Sequence, residues 1–205
     1  MSFSMWLGLL AICALGAVSP GPSLAMVVRH TLGGGRSHGI ICAWAHSIGI
    51  GIYALITLLG LAALLKHYPL VFNAIAVAGG LYLAWLGWKA LTARGGMQQK
   101  LAAGAPVSMW AAARDGLAIS LLNPKIMLFF MALFSQFVLA AQHSGGKSLI
   151  VLTPVIVDGL WYTIIAFMLS QPKVLDKLRA KAQLIDRITG VVLMLLAVRV
   201  VVSLF

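Results

Sequence analysis

Charge is what this sequence has least of. Only 9% of its 205 residues are charged, while 61% are apolar and the mean hydropathy is +1.01. Soluble domains carry roughly a quarter charged residues, so this composition excludes an ordinary water-facing domain and points to lipid as the solvent. Acid is scarcer still. There is no glutamate, and four aspartates stand against fifteen Lys and Arg, giving a net charge of +11. Such an excess serves nucleic acid when it covers one folded soluble face. Here the basic residues cluster between apolar runs, as cytoplasmic loops do, so no nucleic-acid partner is expected. Cysteine is nearly absent: Cys13 and Cys42 lie in separate apolar runs without CxxC spacing. They read as small buried side chains, with no metal or redox centre. Met1 to Trp6 holds no positive side chain, and Pro20 directly follows the only signal-like cleavage sequence. The stretch therefore reads as a retained first span rather than a secretory signal.

What is present is a series of apolar runs. A helix needs about 20 apolar residues to cross roughly 30 Å of hydrocarbon. Six runs qualify: about Phe3–Val28, Gly39–Leu65, Pro69–Trp88, Leu117–Ala141, Ser148–Leu169 and Ile188–Val202. The expectation is an all-α polytopic membrane protein forming one transmembrane domain over residues 1–205. The first half covers about 1–91, a cytoplasmic connector about 92–116, and the second half about 117–205. The end of that connector, Val107 to Asp115, reads as a short interfacial helix. The first, third and fifth connections hold eleven of the fifteen basic residues: Arg29 and Arg36; Lys89, Arg94, Lys100 and Arg114; and Lys173, Lys177, Arg179, Lys181 and Arg187. The second and fourth hold only Lys66 and Lys147. Because positive loops stay cytoplasmic, both termini are expected outside. The segment Lys173–Arg187 reads either as a helix lying on the anionic leaflet or as a solvated loop.

Two runs are interrupted by proline: the first at Ser19-Pro20-Gly21-Pro22-Ser23 and the fourth at Asn123-Pro124-Lys125. Proline removes a donor and frees carbonyls that lipid cannot satisfy. Such backbone persists at membrane depth only where protein or a cavity surrounds it. Pro20 and Pro124 lie 104 residues apart, about half the chain. Paired breaks in corresponding positions of two halves mark the binding site of a secondary transporter, and three-span halves would be inverted repeats. The expected fold is thus a 3+3 inverted repeat with broken helices 1 and 4. Ser19, Pro20, Gly21, Pro22, Ser23, Asn123, Pro124 and Lys125 are candidate substrate-binding residues.

Asp115, Asp176 and Asp186 fall in basic loops, where neighbouring charge accounts for them. Asp158 stands alone inside the fifth run. A carboxylate there costs about 2.5–3.5 kcal/mol and usually faces a cavity. It is read as a substrate or proton site, the alternative being a structural pairing with Lys125 or with frayed backbone. Lys125 itself either holds a substrate carboxylate or snorkels to the cytoplasmic interface. Together the two are complementary to a zwitterion. His46 and Tyr53, seven residues apart on one helical face, are the remaining proton-coupling candidates; an interhelical hydrogen bond is the other reading of His46. Gln136 is a further polar candidate, and no metal-ligand spacing is present.

At these residues the chain resembles the LysE/RhtB family of amino-acid exporters. The resemblance is carried by Ser19-Pro20-Gly21-Pro22, the turn Gly33-Gly34-Gly35-Arg36-Ser37-His38-Gly39, the run Tyr82 to Ala90, and Asn123-Pro124-Lys125 with Phe129-Phe130 and Gln136-Phe137. Asp158 stands where the family has an aspartate. Ser23 and Tyr53 depart from the asparagine and histidine of many relatives. The resemblance implies a bacterial inner-membrane exporter, not an enzyme and without a cofactor, whose partners are an amino acid or derivative, protons and the bilayer, with oligomerisation left open. Two alternatives are carried forward: a cadmium-type metal-ion exporter, and a thiol-redox carrier using Cys13 and Cys42.

Overall fold

The computed structural model describes residues 2–19, 21–92, 108–137 and 146–169, and 180–181, 183–184, 187–188, 190–191, 193–195, 197–198 and 202. Pro20, residues 93–107, Ala141, Lys173 to Arg179, Asp176, Asp186 and Arg199 lie outside these. The described elements are helices: α1 Phe3–Val18, α2 Pro22–Gly34, α3 Arg36–His67, α4 Pro69–Leu91, α5 Met109–Leu122, α6 Pro124–Ser135 and α7 Gly146–Met168. Described residues of 180–202 are also helical.

Three helices, α3, α4 and α7, are long and apolar enough to cross a membrane. The pairs α1–α2 and α5–α6 also pass as bent units, turning by 57° and 55° at their breaks, which makes up to five spans. Both bends fall at the two proline interruptions read in the sequence. The outer surface has the same character. Leu149, Leu152, Ile156, Leu160, Ile164 and Phe167 form an exposed stripe at helical spacing along α7, and Ile48, Ile52, Leu55, Ile56 and Leu59 form another on α3. Water would penalise continuous apolar stripes of this length; lipid does not.

Helix α3 is the hub, packing most extensively against α5 and α7 and also touching α2, α6 and α4. Small residues allow the close crossings. A Cβ on Gly116 of α5 would overlap the Cys42 carbonyl oxygen of α3, and one on Gly79 of α4 would lie 2.9 Å from the Ala132 Cβ of α6. Gly87 and Gly190 likewise face each other, so Gly190 meets α4 at backbone distance.

Two local expectations change. The first basic turn is a single residue: Gly35 (φ +84) reverses the chain, while its N–H caps α2 on the Thr31 carbonyl. Only glycine adopts that conformation freely, which is why Arg29 belongs to α2 and Arg36 opens α3. The segment before the fourth span is not a separate interfacial helix either. Ser108 caps Ala111, and α5 then runs unbroken from Met109 to Leu122, because nothing before Asn123 interrupts its hydrogen bonding. Asp115, read as a loop charge, accepts from buried His30 of α2 at 3.2 Å and from Arg114. It ties α2 to α5.

Candidate functional site

The two breaks meet. Helix α1 stops at Val18, where the Ser19 N–H still donates to Leu15. Gly21 is extended, no side chain caps α2, and Pro22 occupies its first turn. The opening N–H groups of α2 therefore have no intrahelical partner. At the second break Asn123 is extended, and its Oδ1 accepts from the Lys125 N–H at 3.0 Å, capping α6. From that first turn the Lys125 ammonium crosses to donate to Ser19 Oγ at 3.0 Å. A Cβ on Gly21 would lie 3.3 Å from Lys125 Nζ, so glycine makes room for the cation at the start of α2. A lysine thus sits beside the positive ends of α2 and α6, a field that favours an anion.

Opposite this cationic corner is a string of polar side chains. Asp158 of α7 binds His46 of α3, Oδ2 to Nδ1, at 2.7 Å. The His46 Nε2 meets Ser23 Oγ of α2 at 2.9 Å. An ionised carboxylate only accepts, so Nδ1–H donates to Asp158, and in the neutral ring the Ser23 hydroxyl donates to Nε2. Tyr162 of α7 stacks edge-on against the His46 ring, centroids 5.5 Å apart. Ser23, His46, Asp158 and Tyr162 are all buried.

Between the corner and the string lies a cavity of about 700 Å³, open mouth included. Ser19, Gly21, Pro22, Ser23, His46, Asn123, Lys125 and Asp158 all line it. Of the remaining candidates, Pro20 is outside the described residues and Pro124 supplies the first backbone unit of α6. Tyr53 does not line the cavity; it packs half-buried against the main core cluster, because the face it shares with His46 has left the cavity two turns later. Gln136 follows α6, its amide buried without a hydrogen-bond partner among the described residues. The side chain that pairs with Asp158 is His46, by a hydrogen bond; α3 delivers the histidine from 112 residues away.

Sequence reasoning missed Tyr162 and most of the apolar wall, including Ile50. The signal was spacing: Tyr162 lies four residues after Asp158 and Ile50 four after His46, each one turn along the same face. For the alternative readings, no three His, Cys, Asp or Glu side chains gather among the described residues. Cys13 and Cys42 are buried free thiols in different core clusters.

Comparison with known proteins gives both relatives and a family. The chain is similar to a leucine efflux protein of Salmonella choleraesuis (strain SC-B67), 33% identical over 135 residues that cover 65% of this chain and 64% of that protein. It thus spans slightly less than two thirds of that relative. It is 29% identical to a threonine efflux protein of Salmonella typhi over 195 residues, covering 91% of this chain and 92% of that one. No solved structure matches it. The model of the LysE type translocators matches residues 14–204, a stretch that contains both helix breaks and every residue lining the cavity except Cys13; the chain belongs to the LysE type translocator family.

Proposed function

We propose that this protein is a secondary exporter that carries an amino acid or close derivative out of the bacterial cytoplasm across the inner membrane, driven by the proton-motive force. The observation that carries the reading is the shared cavity. A cation beside two positive helix ends stands on one side, on a broken helix pair, and a buried carboxylate of the continuous helix α7 on the other. In this reading the bent pairs α1–α2 and α5–α6 are the first and fourth spans, and α3, α4 and α7 the second, third and fifth. The helical residues within 188–202 complete six, in two inverted halves with both termini outside.

The chemistry follows from a zwitterion. Its carboxylate takes Lys125 and the uncapped N–H groups of α2, and its ammonium takes Asp158. A proton arriving at Asp158 Oδ2 removes the negative charge that holds the ammonium. Substrate and proton therefore compete for one carboxylate, which makes outward transport of one an exchange for inward transport of the other. His46 holds Asp158 in place through Nδ1, and Ser23 and Tyr162 hold His46. The order Ser23–His46–Asp158 has the connectivity of a hydrolytic triad, but in a translocator family it is assigned proton traffic.

Coupling is tested in proteoliposomes loaded with labelled amino acids. Acidifying the outside should accelerate efflux of the substrate, and a protonophore should remove the acceleration. Efflux indifferent to the gradient would refute the coupling. Substituting Lys125→Met is expected to raise KM for the exported amino acid about 10- to 100-fold, the loss of one charged hydrogen bond worth about 1.5–3 kcal/mol. Initial-rate transport over a substrate series measures it, and an unchanged KM would remove Lys125 from the carboxylate site.

A further inference from the structure

We infer that the exported substrate is a neutral amino acid with an apolar side chain, valine- or leucine-like, rather than a hydroxylated or basic one. This rests on the export reading above and concerns the part of the cavity that the zwitterion leaves over. Every polar lining group belongs to one of the two ends. Ser19, Asn123 and Lys125 form the carboxylate corner, with the Asn123 oxygen already engaged by the Lys125 N–H. Ser23, His46, Asp158 and Tyr162 form the ammonium end. What remains is apolar: Ile50, Leu86, Ile126, Phe129, Phe130 and Leu193, with Cys13, Gly16, Ala17 and Pro154. Phe129 and Phe130 stack edge-on, centroids 5.7 Å apart, which fixes the aromatic part of this wall.

A hydroxyl placed against such a wall loses its water without gaining a partner, at a cost of about 1–3 kcal/mol. A second ammonium fares worse, because it needs a counter-charge. The described carboxylates are Asp158, taken by the backbone ammonium, and Asp115, which is held by His30 and Arg114 and does not line the cavity. An apolar side chain loses nothing and exchanges water for close contact.

Valine and threonine separate the effect cleanly, being nearly the same shape and differing in one hydroxyl. The wild-type protein in proteoliposomes is tested for self-exchange of each labelled amino acid in turn: valine, leucine, threonine and lysine. Valine and leucine should exchange at least about tenfold faster than threonine at equal sub-saturating concentration, as expected for an unpaired hydroxyl, and lysine should not exchange. Threonine or lysine exchanging as fast as valine overturns the apolar assignment and leaves the exporter standing. No exchange of any of the four, in protein that elutes as a folded species, overturns both. As a second arm, Ile50→Thr puts a hydroxyl on the wall one turn from His46; in a helix it can bond the carbonyl four residues back, so the fold tolerates it. The valine-to-threonine ratio should fall about tenfold, whereas an unchanged ratio in the folded variant places the side chain elsewhere and refutes the assignment.

Discussion

Replacing Asp158 by asparagine is expected to abolish efflux while leaving the protein folded. The substitution keeps volume and keeps an acceptor for the His46 Nδ1–H, which now sits 2.7 Å from Oδ2. The string through Ser23 to Tyr162 therefore survives. What disappears is the negative charge, and with it both the partner for a substrate ammonium and the site a proton can neutralise. Losing one member of a buried, hydrogen-bonded charge pair costs about 2–5 kcal/mol. At roughly 3 kcal/mol that is about a hundredfold in affinity. The measurement is extracellular amino-acid accumulation by dipeptide-fed cells expressing wild type or Asp158→Asn, with membrane-protein amounts matched. Accumulation within a few-fold of wild type would remove Asp158 from the transport cycle. His46→Gln is the companion: it preserves a donor toward Asp158 but cannot gain a proton. Because the proton is held on Asp158, this variant should retain exchange together with most of its pH dependence, and a lost pH profile would place the titrating group on the histidine.

The largest effect on folding is expected at Gly116, not at the cavity. A Cβ there would overlap the backbone carbonyl oxygen of Cys42, and α3 and α5 form the most extensive contact among the described helices. A backbone atom cannot rotate away as a side chain can, so the helices must separate. Overpacking of this kind costs about 1–3 kcal/mol and sometimes more. We expect Gly116→Ala at the top of that range, with loss of most detergent-stable protein after mild heating. Gly8→Ala is the control, because a Cβ at Gly8 meets nothing within 4 Å. Size-exclusion chromatography of heated samples compares them directly. Equal survival of the two variants would mean that the α3–α5 crossing does not limit stability.

The reach of the sequence differs from feature to feature. The breaks at Ser19–Ser23 and Asn123–Lys125 were legible because proline and glycine act on the backbone locally, whatever surrounds them. Asp158 was legible because a lone carboxylate in an apolar run has few affordable explanations. Tyr53 misled: one face of a long helix passes several environments, and seven residues from His46 the cavity has ended. The one-residue turn at Gly35 lay among three consecutive glycines, any of which had the freedom to make it.

By itself, then, the sequence determined the solvent, the apolar runs and where two of them break, since hydropathy and backbone chemistry are properties of the residues. It also supplied the charges of the site. Only the tertiary structure decided which of them meet. The pairing of Asp158 with His46, the reach of Lys125 to Ser19 and the closing of an apolar wall by Ile50, Phe129 and Leu193 depend on how each helix is rotated about its axis. That rotation is set by close crossings such as Gly116 on Cys42 and Gly79 on Ala132, contacts between residues far apart in the chain whose partners no local pattern specifies.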